Sequence, residues 1–329
     1  MAKTKVGTVV SWEQTTPLLA VFHLMPEQGA QFPAYKAGQY IALRRDDCLL
    51  TKKVVGDGGK VEYVPHLDDQ GKQKRGPVTH SYSIASAPFE TIQNKYLEFY
   101  VILEKNEKGV PGRLTESLFR MRPDADNKLI YYDIITGVFT LDKRAEGADT
   151  VIFVGTGTGV APFVSMIKQL NFEASQRGKG GGTRYILVHA NRTLEELDYF
   201  KEMTAIEAEK RLNFTYIPSV SRPTERDKNN AKMGKGRANN VLRRMFGMPL
   251  KEEQDVIDAE AQKGDVAKAK AALERTIKPI LPESIKSEEF QRSLNPSNAV
   301  VMTCGNVYLM EDIKTIAEAN GIRFEKEDW

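Results

Sequence analysis

Three glycines at alternate positions, Gly155, Gly157 and Gly159, lie inside V-I-F-V-G-T-G-T-G-V-A-P-F-V-S-M-I, residues 151–167. The apolar residues before them suit a short buried parallel strand. The apolar run after them, with Pro162 near its first turn, suits a helix start, where a missing N–H costs little. A strand that turns through glycines into a helix N-terminus presents N–H groups and a positive dipole end with no Cβ in the way. That is the chemistry of a phosphate site. The spacing is G-x-G-x-G, not the G-x-G-x-x-G of the commonest dinucleotide fingerprint, and a tight strand–helix connection without a ligand has the same pattern.

Further stretches put reactive side chains at the ends of elements. His80-Ser81-Tyr82-Ser83-Ile84-Ala85-Ser86 sets an aromatic ring between hydroxyls on a strand-like run. In a flavoprotein a tyrosine so placed stacks on the isoalloxazine ring, and a serine hydroxyl bonds its reactive edge; a plain strand with Tyr82 in the core has the same sequence. Gly112-Arg113-Leu114-Thr115 precedes an apolar helical turn, a second candidate phosphate cradle. Met302-Thr303-Cys304-Gly305-Asn306 closes an apolar run at a helix start, a place that also suits a small buried residue. The chain ends Glu325-Lys326-Glu327-Asp328-Trp329, an aromatic beside carboxylates.

The elements that must position these residues fall into two classes. Thr8 to Trp12, Leu18 to Leu24, Gln39 to Arg44, Tyr82 to Ala85 and Tyr96 to Leu103 are short, rich in β-branched and aromatic residues, and separated by Gly, Pro and Asp. Short strands without long helices between them predict a sandwich or closed barrel over residues 4–140. Residues 46–79 break the pattern, with Gly56-Asp57-Gly58-Gly59 and Gly71 to Pro77 expected as hairpin tips or loops. After a polar, linker-like Lys143 to Asp149, strands and helices alternate. Val151 to Val154 leads into a helix through Leu170, Tyr185 to His189 into one near Leu194 to Glu209, then Phe214 to Val220, then Ala299 to Thr303 and a helix through Ala319. That alternation predicts a parallel sheet with crossover helices. Glu252 to Ile277, rich in Ala, Lys and Glu, reads as an exposed helix or helical pair inserted into it.

Composition narrows the chemistry. A chain of 329 residues, 41% hydrophobic and 28% charged, has the material for two cored domains. A net charge of +3 makes no case for nucleic-acid binding. Cys48 and Cys304 are too few for an iron–sulfur cluster, and with scattered histidines and no C-x-x-C the expectation is no metal. No apolar run is long enough to span a membrane and the start lacks a signal-like run, so the expectation is a soluble, cytoplasmic protein.

Taken in order with the G-T-G-T-G turn, these stretches resemble the ferredoxin–NADP reductase family, most of all its bacterial branch that ends in an aromatic residue. The resemblance covers nearly the whole chain apart from residues 46–79 and roughly 245–295. It implies two domains: an antiparallel flavin-binding β-barrel over residues 1–145, then an α/β doubly wound parallel sheet over 146–329 that binds nucleotide, with a helical insertion near 245–295. It implies FAD and NADP(H) as cofactors. Within His80-Ser81-Tyr82-Ser83, Tyr82 would stack on the flavin and Ser83 would sit near its N5. Tyr100 would line the cofactor's other side, Arg113, Leu114 and Thr115 would form the FAD phosphate turn, and Thr156 would lie where the cofactors meet. His80 stands where the family has an arginine on the FAD pyrophosphate. A neutral imidazole offers one donor instead of a charged fork, which weakens FAD binding, shifts the load to Arg113, or makes binding pH-dependent.

The resemblance also assigns the nucleotide's contacts. Asn191-Arg192, Arg222 and Arg237 match positions where the bacterial reductases meet the 2′-phosphate, although each alone also reads as a surface charge. A 2′-phosphate wants arginines, whereas NAD enzymes place a carboxylate on the ribose, so NADP is the expected nucleotide. Asn306, Val307, Tyr308 and Asp312 match the helix start at the nicotinamide half. Tyr82, Ser83, Cys304 and Trp329 would stand nearest the transferred hydride, with the indole of Trp329 against flavin or adenine, or else in an unpacked tail. Ile322-Arg323-Phe324 is expected as an edge strand anchoring that tail. The implied activity passes electrons between NADP(H), a hydride donor, and a separate one-electron carrier, ferredoxin or flavodoxin, through FAD. The reductase component of an oxygenase, another flavin reductase, or a non-catalytic docking subunit shares the pattern.

Overall fold

The structure is a computed structural model that describes residues 3–55, 59, 61–106, 108–178 and 180–327, with only the backbone of Lys228. Gly56, Asp57 and Gly58, expected at a hairpin tip, and Trp329 lie outside the described residues. The chain forms two compact units divided between Gly137 and Val138. No helix among the described residues is long and apolar enough to cross a membrane.

The first unit is built from β1 (Thr4–Thr16), β2 (Leu19–Met25), β3 (Tyr40–Leu49), β4 (Thr51–Val55), β5 (Val61–Pro65), β6 (Arg75–Ser83), α1 (Pro88–Asn94), β7 (Leu97–Ile102), α2 (Arg113–Phe119) and β8 (Lys128–Thr136). Six strands form one antiparallel sheet in the order β6-β3-β8-β1-β2-β7. Its two ends meet just past β6, where the Ala85 N–H donates to the Glu98 carbonyl at 2.9 Å and the Glu98 N–H donates to Ser86 Oγ at 3.0 Å. The result is the expected antiparallel barrel. Alternation sends Phe22 and Leu24 of β2, Ile41 and Leu43 of β3 and Leu97 and Phe99 of β7 into one core.

β4 and β5 form a separate antiparallel hairpin on either side of the expected hairpin tip at residues 56–59. One stretch departs from the sequence expectation: Arg75-Gly76-Pro77 belongs to β6, not to a hairpin tip or loop. β6 is the first strand of the order, where a proline without an N–H is tolerated. β8, absent from the strands named above, closes β1 against β3.

The second unit comprises α3 (Leu141–Arg144), β9 (Thr150–Thr156), a 3₁₀ turn over Gly157–Val160, α4 (Ala161–Arg177), β10 (Arg184–Asn191), α5 (Phe200–Glu209), β11 (Asn213–Val220), α6 (Glu225–Lys228), β12 (Gly234–Lys235), α7 (Ala238–Met245), α8 (Lys251–Ala261), α9 (Val266–Glu274), α10 (Ser287–Ser293), β13 (Ala299–Cys304), α11 (Val307–Ala319) and β14 (Arg323–Lys326). Its sheet is parallel throughout, in the order β12-β11-β10-β9-β13-β14. The order reverses between β9 and β13, and in open α/β sheets ligands bind outside the carboxyl ends of the strands at that point. β9 is buried from Thr150 to Gly155, as a strand covered on both faces must be. α4 ends at Gly178 in the left-handed conformation, φ 80°.

β14 is the expected edge strand. The expected linker is in part α3, which opens the second unit, with Arg144 paired to Glu325 at 2.9 Å. The insertion is more than a surface helical pair. α8 and α9 supply the pair, but Phe290 of α10 packs edge-on against Phe246 at 5.1 Å, inside the core that covers one face of the sheet.

Candidate functional site

In the first unit the candidate residues gather along β6 and the start of α2. Thr79, His80 and Ser81 are exposed, whereas Tyr82 is half-buried against the barrel core and Ser83 is buried. Burial pushes the Tyr82 phenol up, so it stays protonated. Although His80 is exposed at its edge, partial desolvation of the ring and the nearby charge of Arg113 hold its imidazole below the usual histidine value of 6.5. At Gly112 a Cβ would come 2.8 Å from Thr115 Oγ1, so glycine closes the turn that begins α2. Leu114 is a core residue, which leaves its backbone alone to meet a ligand. Thr115 is buried and its hydroxyl donates to the Gly112 carbonyl at 3.2 Å. Tyr100, expected beside the cofactor, is only 3% exposed on β7 and has little surface to offer.

A charged network fixes α2 to β3. Arg45 points inward from the barrel wall and its guanidinium donates to both Asp126 carboxylate oxygens, at 2.9 and 2.5 Å, and to Ser117 Oγ at 3.0 Å. Ser117 in turn donates to Asp47 at 2.6 Å. Asp47 is drawn down to about 2: burial opposes this, and the Ser117 hydrogen bond with the Arg45 and Arg120 charges overcomes it. Sequence reading had no access to this network, because β3 and α2 are some seventy residues apart.

In the second unit the three glycines divide their labour. A Cβ on Gly155 would lie 2.8 Å from Val160 Cα, and one on Gly159 would overlap the Cys304 carbonyl. Those two glycines serve close packing. Gly157 has φ +56° and nothing within 4 Å of where a Cβ would be, so it alone offers a ligand open backbone. Gly305, at φ +129°, packs on Thr156, whose Oγ1 accepts from the Asn306 N–H at 3.1 Å. The carboxyl ends of β9 and β13 are thereby joined at the switch point.

Cys304 is fully buried and donates to Glu327 Oε2 at 3.1 Å. Burial and the Glu327 carboxylate both push the thiol well above its usual value, so it is a protonated donor. Glu327 is 3% exposed and its N–H donates to the Thr303 carbonyl at 3.1 Å. Its partnership with Cys304 follows from the β13–β14 register, Thr303 beside Lys326, and no local sequence pattern announces it.

The expected arginines follow three adjacent strands: Arg192 after β10, Arg222 after β11, Arg237 after β12. The Arg222 N–H donates to the Arg192 carbonyl at 2.8 Å, and the Gly236 N–H to the Val220 carbonyl at 2.9 Å, so the three loops are tied together. Arg222 is exposed. Arg192 is clamped by the buried Glu196, which meets its Nε at 3.0 Å and Nη2 at 2.8 Å. Asn191 is half-buried and donates to the Glu196 carbonyl at 2.7 Å. Arg237 pairs with Glu252 at 3.4 Å. These carboxylates are absent from the sequence-derived site.

At α11, Asn306 caps the helix through Oδ1, which accepts from Tyr308 N–H at 3.0 Å and Leu309 N–H at 3.3 Å. Val307 and Tyr308 are exposed beside it, Tyr308 by 87%. Asp312 is a correction to the expected site. It is buried and accepts from Arg243 Nε and Nη2, at 3.0 and 2.5 Å, and from Asn239 Nδ2 at 2.8 Å. It braces α7 against α11 and has no outward face.

Residues 153–259 match the family model for the oxidoreductase NAD-binding domain. The chain is 31% identical over 145 residues to a flavodoxin/ferredoxin–NADP reductase of Rhodobacter capsulatus, covering 44% of this chain and 46% of that one. It is 26% identical over 227 residues to a flavohemoprotein of Halalkalibacterium halodurans, covering 68% and 45%. The chain spans about half the length of the curated relatives it matches. Its fold is similar to that of a solved ferredoxin NADP+ reductase from Neisseria gonorrhoeae with bound FAD and NADP, at TM-score 0.58 and 18% identity, with 99% of each chain covered. The expected resemblance and the expected two-domain fold are borne out.

Proposed function

We propose that this chain, a flavoprotein reductase of the ferredoxin–NADP reductase family, exchanges electrons between NADP(H) and a one-electron carrier, ferredoxin or flavodoxin, in the cytoplasm. The observation that carries the reading is the switch point between β9 and β13. There the open backbone of Gly157 follows β9, Gly159 packs against the Cys304 backbone at the end of β13, and three arginines follow the three adjacent strands β10, β11 and β12. FAD, when bound, accepts a hydride and releases its electrons one at a time.

The residues present fit both cofactors. His80, Arg113 and the turn at Gly112 suit a pyrophosphate, with Tyr82 against the flavin ring and Ser83 near N5. Thr156 and Gly157 suit the nucleotide's approach at the end of β9, and Asn306, Val307 and Tyr308 line the start of α11. Cys304 is fully buried, with its Sγ on Glu327, so its part in this reading is to hold the end of β13 under the site and not to touch the nicotinamide with its side chain. Arg192, Arg222 and Arg237 supply charge-assisted donors for a 2′-phosphate. Trp329, outside the described residues, would cover the flavin or the adenine in this reading. Arg222→Ala and Arg237→Ala should each raise KM for NADPH by roughly tenfold or more, the loss of about 1.5–3 kcal/mol for a charge-assisted hydrogen bond, and leave KM for NADH nearly unchanged. Steady-state kinetics with both nucleotides tests this; equal losses for the two would refute the arginine assignment.

The likeness to a flavohemoprotein, and to a solved cytochrome P450 reductase of Amycolatopsis at TM-score 0.58 and 16% identity, covering 99% of this chain and 69% of that one, supports a second acceptor class, a heme-containing oxygenase. NADPH-driven reduction of ferredoxin, flavodoxin and a P450 in parallel separates the two.

A further inference from the structure

We propose that the helical insertion between α7 and β13, residues 246–298, is a nucleotide-selectivity element in which Glu252 acts as the positioning residue for Arg237. The inference rests on the reading that Arg237 meets the nucleotide's 2′-phosphate.

The turn that carries Arg237 is held by the insertion on several sides. Lys235 of β12 and Ile280 exchange N–H to carbonyl bonds at 2.8 and 2.9 Å, so the chain returning from α9 pairs with the edge of the nucleotide-binding sheet. The next residue, Gly236, has φ +117°, and a Cβ there would lie 3.2 Å from Pro279 Cα. Ser219 Oγ donates to the Gly236 carbonyl at 2.9 Å from the sheet side. Arg237 follows at once as the N-cap residue of α7.

Its side chain is tethered by the first turn of α8. Glu252 is 7% exposed, and its Oε1 lies 3.4 Å from Arg237 Nη1. Its Oε2 accepts from Asn240 Nδ2 at 2.7 Å, and Asn240 Oδ1 accepts from the Lys251 N–H at 2.9 Å. Asn240 is fully buried on α7, so α7 and α8 hold the carboxylate rigidly. A buried carboxylate needs a charged partner. Asn240 is neutral and Lys251 pairs with Asp255, which leaves Arg237 as that partner among the described residues. The Arg237 side chain remains 61% exposed. Its inner edge is therefore anchored while its outer edge faces solvent, and an incoming phosphate meets an arginine whose rotamer freedom has already been spent.

Glu252→Gln keeps an acceptor for Asn240 and removes the charge that anchors Arg237. The expected result is a KM for NADPH raised about three- to tenfold, the cost of ordering one long side chain, with kcat and the KM for NADH unchanged. The affinity of the full-length protein for 2′,5′-ADP, read by calorimetry, should fall by the same factor, and neither change should appear in an Arg237→Ala background. Where Glu252→Gln lowers the folded yield, Pro279→Gly, which loosens the brace on Gly236, carries the same expectation. An unchanged or tighter affinity for 2′,5′-ADP overturns the proposal. So does an equal loss for NADPH and NADH, or a loss that persists without Arg237. If Arg237→Ala leaves the preference for NADPH intact, the underlying reading fails and the proposal with it. If Arg237→Ala is selective and Glu252→Gln is silent, the proposal fails alone.

Discussion

Cys304 shows how a residue's chemistry is set by what surrounds it. Its thiol is fully buried and faces a carboxylate, and both influences disfavour the thiolate. Cys48 is buried as well, and burial raises its thiol too. Neither should react as a nucleophile while the fold is intact. Titration with a thiol reagent at pH 8 should find well under one reactive group per native chain and two after denaturation; a fast-reacting native thiol would contradict the burial of Cys304. The cysteine at a strand end was legible in the sequence, but Glu327 as its partner was not, because that pairing exists only once β14 lies beside β13. Glu196 and Glu252 escaped for the same reason. Each meets an arginine through a loop or helix whose course sequence does not fix. The glycine spacing was legible, but its division of labour was not. Gly155 and Gly159 are required by Val160 and Cys304, contacts that a G-x-G-x-G pattern does not reveal.

At the scale of elements, strands and helices with strong periodicity were legible, and their supports were not. β9, β10, β11 and β13 announce themselves as apolar runs, and α4 and α11 as amphipathic ones. The brace between α7 and α11 is a buried ion pair. Arg243 is 2% exposed and Asp312 5%, whereas the sequence reading set Asp312 at the nucleotide site and gave Arg243 no role. Asp312→Ala leaves the guanidinium buried without its counter-charge, which should cost about 3–5 kcal/mol. The double variant Arg243→Met with Asp312→Leu should recover much of that loss. Urea midpoints for the single and double variants check this, and a single variant as stable as the parent would show that the pair is solvated. The insertion was read as an exposed appendage because α8 and α9 are rich in Ala, Lys and Glu. Phe290 and the Lys235–Ile280 pairing tie its second half into the sheet and its core.

At the scale of the whole molecule, the division into a strand-rich unit and a unit of alternating strands and helices was legible from the chain, whereas the order of strands in each sheet was not. What composition hides is the cost of storing a neutral imidazole in the core. His189 on β10 is fully buried, its Nδ1 lies 3.0 Å from the Tyr216 hydroxyl, and its Nε2 has no partner among the described residues. Burial pushes its pKa down to about 3, whereas in the unfolded chain it titrates near 6.5. Between those values the unfolded state binds the extra proton. This stability is fully present above about pH 6.5 and is lost as the pH falls toward 3, at up to about 1.4 kcal/mol per unit. Denaturant midpoints between pH 7.5 and 5 should fall more steeply for the parent than for His189→Asn; parallel slopes would contradict a buried neutral imidazole.

The central claim is that this chain joins a flavin to a nicotinamide nucleotide, and one anaerobic stopped-flow measurement on the FAD-loaded protein tests it most directly. Mixing with NADPH should bleach the oxidised flavin band near roughly 450 nm, a property of flavins in general. It should do so at a rate that saturates with NADPH and at far lower nucleotide concentration than NADH requires. A protein that holds no FAD, or whose bound flavin stays oxidised in excess NADPH, would contradict the account.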